Sequence, residues 1–319
     1  MFKIVYVLIS VLILIPGASW ATALGVASDY NEFIFGNILQ TNTDSEGRVA
    51  AGGNVGYEHM SVAANVKTDP AIGDLVVGGN LNFSQGSVGY LKNNQDPLYQ
   101  KGSIYVGGTA NLYEVGYGSL LYEKPINFQA AQSYLTQSSA AWGALNPNGT
   151  VTKNLLGNGS FEIILTGYDP HLNIFNLSGA DVINANAGSF KVNIPPGSTV
   201  LVNIDGSVSA MQNFGFFFPA KPYPEFDWDP YILYNFYQAT SLTFGAIEIH
   251  GSILAPRAGV QFSNGHIEGQ LIAMSLTGTG EAHDEFFIGQ IPEAATVLLL
   301  GAGFIGIALG RRRMGISLH

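Results

Sequence analysis

A mainly β fold, a β-solenoid with one long flanking α-helix, is what this sequence predicts, and three observations predict it. Its 319 residues include 40 glycines and only 11% are charged, the composition of many short strands joined by tight turns. One pattern recurs three times early on, as GRVAAGGNV (47–55), GDLVVGGNL (73–81) and GSIYVGGTANL (102–112). A single segment, 127–145, departs from the β pattern and places apolar residues at three- and four-residue steps.

In chain order, residues 1–21 come first: Lys3, a long apolar run, a Pro-Gly break, then small residues at Ser19 and Ala21. That is the layout of a secretory signal peptide, and signal peptidase is expected to cleave after Ala21. The body, 22–288, is long enough for one sizeable domain. The formal net charge of -10 argues against nucleic acid or an anionic membrane surface as a partner of this body. No cysteine occurs, which excludes disulfides, thiol catalysis and cysteine-ligated zinc. An exported chain of this kind must hold itself together by packing and backbone ladders.

The leading glycines of the early repeats, Gly47, Gly73 and Gly102, stand 26 and 29 residues apart, the period of one supersecondary unit stacking on the next. Their glycine pairs are expected to supply positive φ at sharp corners. The asparagine that follows is expected to take the left-handed region or to form a side-chain ladder between coils. In 127–145, the stripe of Phe128, Ala131, Leu135, Ser138, Trp142 and Leu145 predicts an amphipathic helix packed along the solenoid flank, after Pro125 and before NPNG (146–149). SFEIIL (160–165), LNIFNL (172–177) and TVLVNID (199–205) read as half-buried strands. The Pro- and aromatic-rich 216–238 reads as a long loop covering an edge or side of the solenoid. DGSVSA (205–210), HGSILAP (250–256) and EGQLIAM (268–274) form a second repeat family. In it Gly251 and Gly269 lie 18 apart, about one coil of three short faces.

The C-terminal segment 289–314 holds an acidic tripeptide, an uncharged stretch and Arg311, Arg312 and Arg313. A transmembrane helix is expected over 294–310. Its sixteen residues 294–309 reach ~24 Å against a hydrocarbon core of ~30 Å. The arginines then snorkel and hold that end in the cytoplasm as a stop-transfer signal. This order resembles the PEP-CTERM sorting tail of Gram-negative bacteria. The resemblance implies recognition by an exosortase, a membrane-embedded protease-transpeptidase, at Pro292, Glu293 and Ala294, where the family has Pro-Glu-Pro. Alanine at the third position departs from the pattern.

The runs DSEGRVAAGGN (44–54) and GSILAP (251–256), within 30–55 and 251–273, resemble the choice-of-anchor A domain of bacterial surface proteins over most of 24–288. The late block also looks like the closing coil of ice-binding β-solenoids, which carry one long helix beside the solenoid. These resemblances imply an ice-binding-like β-solenoid and a surface location, and no catalytic residue.

Five groups of residues are candidates for chemistry or binding. Glu281, His283, Asp284 and Glu285 place a histidine among carboxylates, as in a metal site or an acid/base pair. In a strand 281, 283 and 285 share a face, and the same residues equally suit a polar strand end before the tether. Asp227 and Asp229 project to one side if extended. Asp44, Glu46, Asp69 and Asp74 sit near repeat corners of the oxygen-rich kind that binds calcium, without the nonapeptide repeats of calcium-binding solenoids. Thr277 and Thr279 form one pair of an ice-binding type, with no register-matched threonine on the coils at 251–256 and 269–274. Trp228 and its aromatic neighbours suit stacking on sugar rings, or edge coverage. There is no Gly-x-Ser-x-Gly, His-Glu-x-x-His or Walker loop. No catalytic, cofactor or metal site is assigned.

The reading is an exported, non-enzymatic surface protein of the Gram-negative envelope, structural or adhesive, with extracellular polysaccharide as the expected partner. An ice-binding or glycan-binding module is the alternative, and a hydrolase using Glu281, His283 and Glu285 a further one.

Overall fold

The computed structural model describes residues 23–90, 100–218 and 227–293. The described chain is mainly β, with two α-helices, an 18-stranded sheet and a 4-stranded sheet. The repeat period dictates the stacking. Val49–Ala51 pairs in parallel with Leu75–Val77, which pairs in parallel with Ser103–Val106. The three glycine-pair repeats therefore stand in register one above another. The strands that follow their corners, Val55–Val62, Leu81–Tyr90 and Ala110–Gly116, form a second parallel column.

The asparagine ladder is present. Asn37 Oδ1 accepts from the Asn54 N–H at 2.8 Å, and Asn54 Oδ1 accepts from the Asn80 N–H at 2.9 Å. Asn80 Oδ1 then accepts from the Thr109 N–H at 2.9 Å. The glycine pairs do something other than expected. Positive φ occurs at Gly73, a leading glycine, and at none of Gly52, Gly53, Gly78, Gly79, Gly107 and Gly108. They permit close stacking of corners instead: a Cβ on Gly79 would lie 2.5 Å from Asn54 Oδ1 and 2.7 Å from Gly53 O. Asn54→Ala should cost about 1 kcal/mol, because water can replace a bond at an exposed corner. Gly79→Ala should cost roughly 1–3 kcal/mol, because backbone must move. Urea midpoints of the two variants test this ranking.

Helix α1, Phe128–Gly143, begins at Asn127, whose side chain accepts from the Ala130 N–H at 3.0 Å. It separates two series of strands. After it, Leu172–Ser178, Thr199–Asp205, Ile232–Asn235, then 252–255 and 271–273 stack in parallel until 271–273 pairs with Glu32–Ile34. The last strands of the domain thus meet the first in mid-sheet. A short helix α2, Gly179–Asn184, follows Leu172–Ser178, and its capping Ser178 accepts from the Ala180 N–H.

Alternation along these strands feeds two apolar clusters. Val200, Val202, Ile204, Tyr234 and Ile253 face the interior. Leu201, Leu233, Leu254, Ile272, Phe33 and Val76 join Ala131, Leu135 and Trp142 of α1. The expected half-burial of 199–205 is therefore corrected: every residue but Asp205 is buried, because α1 covers the face that solvent would otherwise reach. The helix is fixed by polar contacts too. Asn235 Nδ2 donates to Ser139 O at 2.9 Å and to Asn203 Oδ1 at 2.8 Å, and Asn203 Nδ2 donates to Trp142 O at 2.8 Å. Such a satisfied buried network sets the helix register.

The expected long loop 216–238 is corrected as well. Gly215–Phe217 is a strand, and Ile232–Asn235 is a buried strand between Thr199–Asp205 and 252–255. Residues 219–226 lie outside the described residues. Both ends of the described domain rest on α1: Tyr134 OH donates to Ala23 O at 3.2 Å and Trp142 Nε1 to Pro292 O at 2.8 Å. The signal segment with Ala21, the span 294–310 with Ala294, and Arg311, Arg312 and Arg313 lie outside the described residues. Among the described residues no helix is long and apolar enough to cross a membrane.

Candidate functional site

Alternate residues of a strand share a face. On three adjacent strands this rule places Glu248 and His250, His266 and Glu268, and Glu281 and His283 outward, because Ile249, Ile267 and Ala282 between them are buried. Register sets Glu248 beside His266 beside Glu281, and His250 beside Glu268 beside His283. Acid and imidazole therefore alternate along and across the strands. The pairing of Ser45 with Ala282 brings in Asp44 on the next strand and Glu46 just past its end, and Glu46 Oε2 accepts from the Asp284 N–H at 3.1 Å. Asn31 on the first unit donates to His283 O and to Gly269 O, tying the strip to the opposite end of the chain.

Glu268 Oε1 lies 2.8 Å from His283 Nδ1 and 3.2 Å from His266 Nε2. The His266 and His283 rings stack with centroids 4.3 Å apart and planes 11° from parallel. Glu248 Oε1 is 3.4 Å from His250 Nε2 and 3.5 Å from His266 Nε2, and Glu281 Oε2 is 3.5 Å from His283 Nε2. At the far margin the Asp229 carboxylate meets His250 Nδ1 at 3.0 and 3.1 Å, and the Phe216 and Phe218 rings stand edge-on to that imidazole at 5.5 Å.

The hydrogen bond to Glu268 pushes the His283 imidazole up to about 9, and the same bond holds Glu268 below the usual carboxylate range. Burial alone would lower His250; the bond to Asp229 and the charges of Asp229, Glu248 and Glu268 outweigh it and raise the imidazole. Burial, with Asp227, Asp229, Glu268 and Asp284 adding to it, pushes Glu285 up to about 7. Burial and then Glu281 raise Asp44. The strip is a proton-holding surface array, with His266, Glu268 and His283 offering three ligand atoms within 4.8 Å of one another.

Two sequence candidates thus merge. Glu281 and His283 share the face as expected. Glu285 lies past the strand end, where its N–H donates to His283 O at 2.8 Å, and it stands in the field of Asp227 and Asp229. The four corner acids divide: Asp44 and Glu46 join the strip, whereas Asp69 caps a turn through the Ala71 N–H at 2.9 Å. Asp74 is buried, accepts from the Ser103 N–H at 2.8 Å and faces Arg48 Nε at 3.5 Å. Trp228 is buried and stacked on Phe218, which fits the edge-coverage alternative and not open stacking on sugar rings. Thr277 sits in an exposed column with Thr243, but Gln261 separates the two and Leu39 follows, so no continuous threonine row forms. His250, His266, Glu248 and Glu268 were missed. Their signal was Glu-x-His (248–250), His-x-Glu (266–268) and Glu-x-His (281–283), one triplet per strand.

Residues 23–284 match the family described as "Putative Ice-binding-like adhesive domain", and the chain belongs to that family. Residues 290–313 match the PEP-CTERM protein-sorting motif. An adhesive-family domain joined to this tail marks an exported surface protein, and the motif implies processing by exosortase, a membrane protease. Among solved structures, the chain is similar to an ice-binding protein from the Antarctic ascomycete Antarctomyces psychrotrophicus. That match has 13% identity, covers 84% of this chain and 98% of that one, and has a TM-score of 0.31. An ice-binding protein from an Antarctic biological consortium matches at 13% identity, covering 83% and 89%, with a TM-score of 0.36. Ice-binding protein 1 of Shewanella frigidimarina matches at 10% identity, covering 84% and 97%, with a TM-score of 0.29. Nothing among the curated proteins matches.

Proposed function

We propose that this chain is a non-enzymatic adhesive or structural module of the Gram-negative cell surface, membrane-anchored until exosortase acts near Pro292-Glu293, and that it binds extracellular polysaccharide. The observation that carries this reading is the joining of an adhesive-family domain at 23–284 to a sorting motif at 290–313, with only 285–289 between. The same reading treats the stacked parallel columns as coils of a β-solenoid related to the choice-of-anchor A domain, supported by the runs 44–54 and 251–256. The surface column runs Thr243, Gln261, Thr277, Leu39, Gly56, Asn82 and Asn111, and its polar residues on either side of Leu39 and Gly56 support a glycan partner. Strands recur every ~4.8 Å, so the polar side chains on either side of Leu39 and Gly56 stand at a regular spacing that an extended polymer can follow.

The mass of the mature protein, recovered from envelope and medium, tests the export half. A species beginning at Thr22 and ending near Glu293 is the expected result. Retention of Arg311–Arg313 in all of it would overturn the processing step. Binding to the host's purified exopolysaccharide tests the partner; inhibition of ice recrystallisation without glycan binding would replace it with ice.

A further inference from the structure

We propose that His266, Glu268 and His283 form a binding site for a divalent first-row transition metal, zinc in the first instance. Zinc holds nitrogen and oxygen ligands at about 2.0–2.2 Å, which in a tetrahedral shell separates neighbouring ligand atoms by roughly 3.3–3.5 Å. Glu268 Oε1 already lies 3.2 Å from His266 Nε2 and 2.8 Å from His283 Nδ1, and all three atoms are within 4.8 Å of one another. Rotation of the two stacked imidazoles toward one ion would fill three corners of such a shell and leave the fourth open. The ligands are set by strands on which Ile267 and Ala282 are buried, so the backbone under the site is fixed.

The surroundings fit the same reading. The other nitrogen of His283 faces Glu281 Oε2 at 3.5 Å, the carboxylate support that orients metal-bound imidazoles. Glu248 Oε1, 3.5 Å from His266 Nε2, stands where a fourth ligand or a bound water would be held. Two imidazole nitrogens select zinc and its neighbours over calcium, which takes oxygen ligands. His266 and Glu268 belong to Ser252–Glu268, His283 to Glu281–His283, and the latter strand pairs also with Ser45 of the first unit. A metal here would clasp Ser252–Glu268 to Glu281–His283, beside the pairing of the latter with Ser45 of the first unit. Binding only to the folded state, it would stabilise the join by mass action.

The full chain, solubilised in detergent and stripped with a chelator, should be titrated with zinc chloride and with calcium chloride by calorimetry, with thermal unfolding in parallel. One zinc per chain is expected, with a midpoint raised by roughly 5 °C when zinc stands at ~100 times its Kd. His266→Gln and His283→Gln should each weaken zinc binding by at least ~10-fold. His250→Gln, outside the three, should leave it intact. Should a histidine variant fail to fold, Glu268→Gln, which keeps the side-chain shape, replaces it. Absence of zinc uptake by the folded chain would overturn the site. So would uptake undiminished in both histidine variants, or calcium binding as tight as zinc.

Discussion

Replacing Trp142 by alanine should remove about 3–5 kcal/mol of stability, the cost of emptying a large aromatic from a packed interior. Trp142 is fully buried and lies in the apolar cluster with Leu135, Leu201, Leu233, Phe287 and Ile291. Three parts of the fold converge on it. It is the last large side chain of α1, its carbonyl accepts from Asn203 Nδ2 in the sheet, and its indole N–H donates to Pro292 O at the start of the sorting motif. Trp142→Phe keeps most of the ring but loses the donor, so its cost should be smaller while its effect on 286–293 persists. Urea unfolding reads the first consequence and native-state proteolysis of the 286–293 segment the second. Alanine costing under ~1 kcal/mol would mean that α1 is dispensable to the sheet. Unchanged proteolysis in Trp142→Phe would mean that Pro292 is held by its backbone and by Ile291 alone.

That convergence was half visible in the sequence. The stripe from Phe128 to Trp142 needs only 3.6-residue periodicity, and Asn127 marks its start, so the helix could be read locally. What the helix covers could not. Thr199–Asp205 alternates like a half-buried strand, and its burial on both faces is decided by a segment some sixty residues earlier. The early repeats were legible because each corner repeats the same glycines and asparagine. The role of the glycine pairs was not, since close approach to a neighbouring carbonyl is a property of the stack and positive φ a property of one residue. Ile232–Asn235 was hidden by the prolines before it, which are outside the strand itself.

The candidate strip follows the same logic. Glu281 and His283 announced themselves as a dense polar cluster, whereas His266 and Glu268 sit in a glycine-flanked repeat that reads as ordinary. They meet because Ile267 pairs with Ala282 on a parallel neighbouring strand, a register that no local period announces. Asp44 and Glu46 join from the opposite end of the chain, which no local pattern indicates. A sequence reading that tracked polar residues at the same offset in each repeat would have found the array.

Closure also creates the second large effect. Glu32 lies on the first strand, Glu32–Ile34, held between 271–273 and Val49–Ala51. Its side chain is 1% exposed, and Glu32 Oε1 accepts from Gln40 Nε2 at 3.0 Å. Burial, with the charge of Asp44 adding to it and the Gln40 bond opposing, pushes its carboxyl up to about 8. At pH 7 the folded protein therefore carries Glu32 protonated. In the unfolded chain the group ionises near its ordinary 4.5, so the folded state binds the extra proton between 4.5 and about 8. Its contribution falls as pH rises through that window, by up to about 1.4 kcal/mol per pH unit, and levels off above it. Glu32→Gln keeps the shape and removes the titration. The variant should match the wild type near pH 4.5 and gain on it steadily to pH 8, ending several kcal/mol more stable. His283, up to about 9, also loses stabilising charge as pH rises through that value, but it does so in both proteins and cancels in the difference. Urea unfolding of the two proteins at pH 5, 7 and 9 measures that difference. Parallel curves would mean that Glu32 ionises without opposition inside the fold, and the buried carboxyl would then need a hydrating path through the join between the first and last strands.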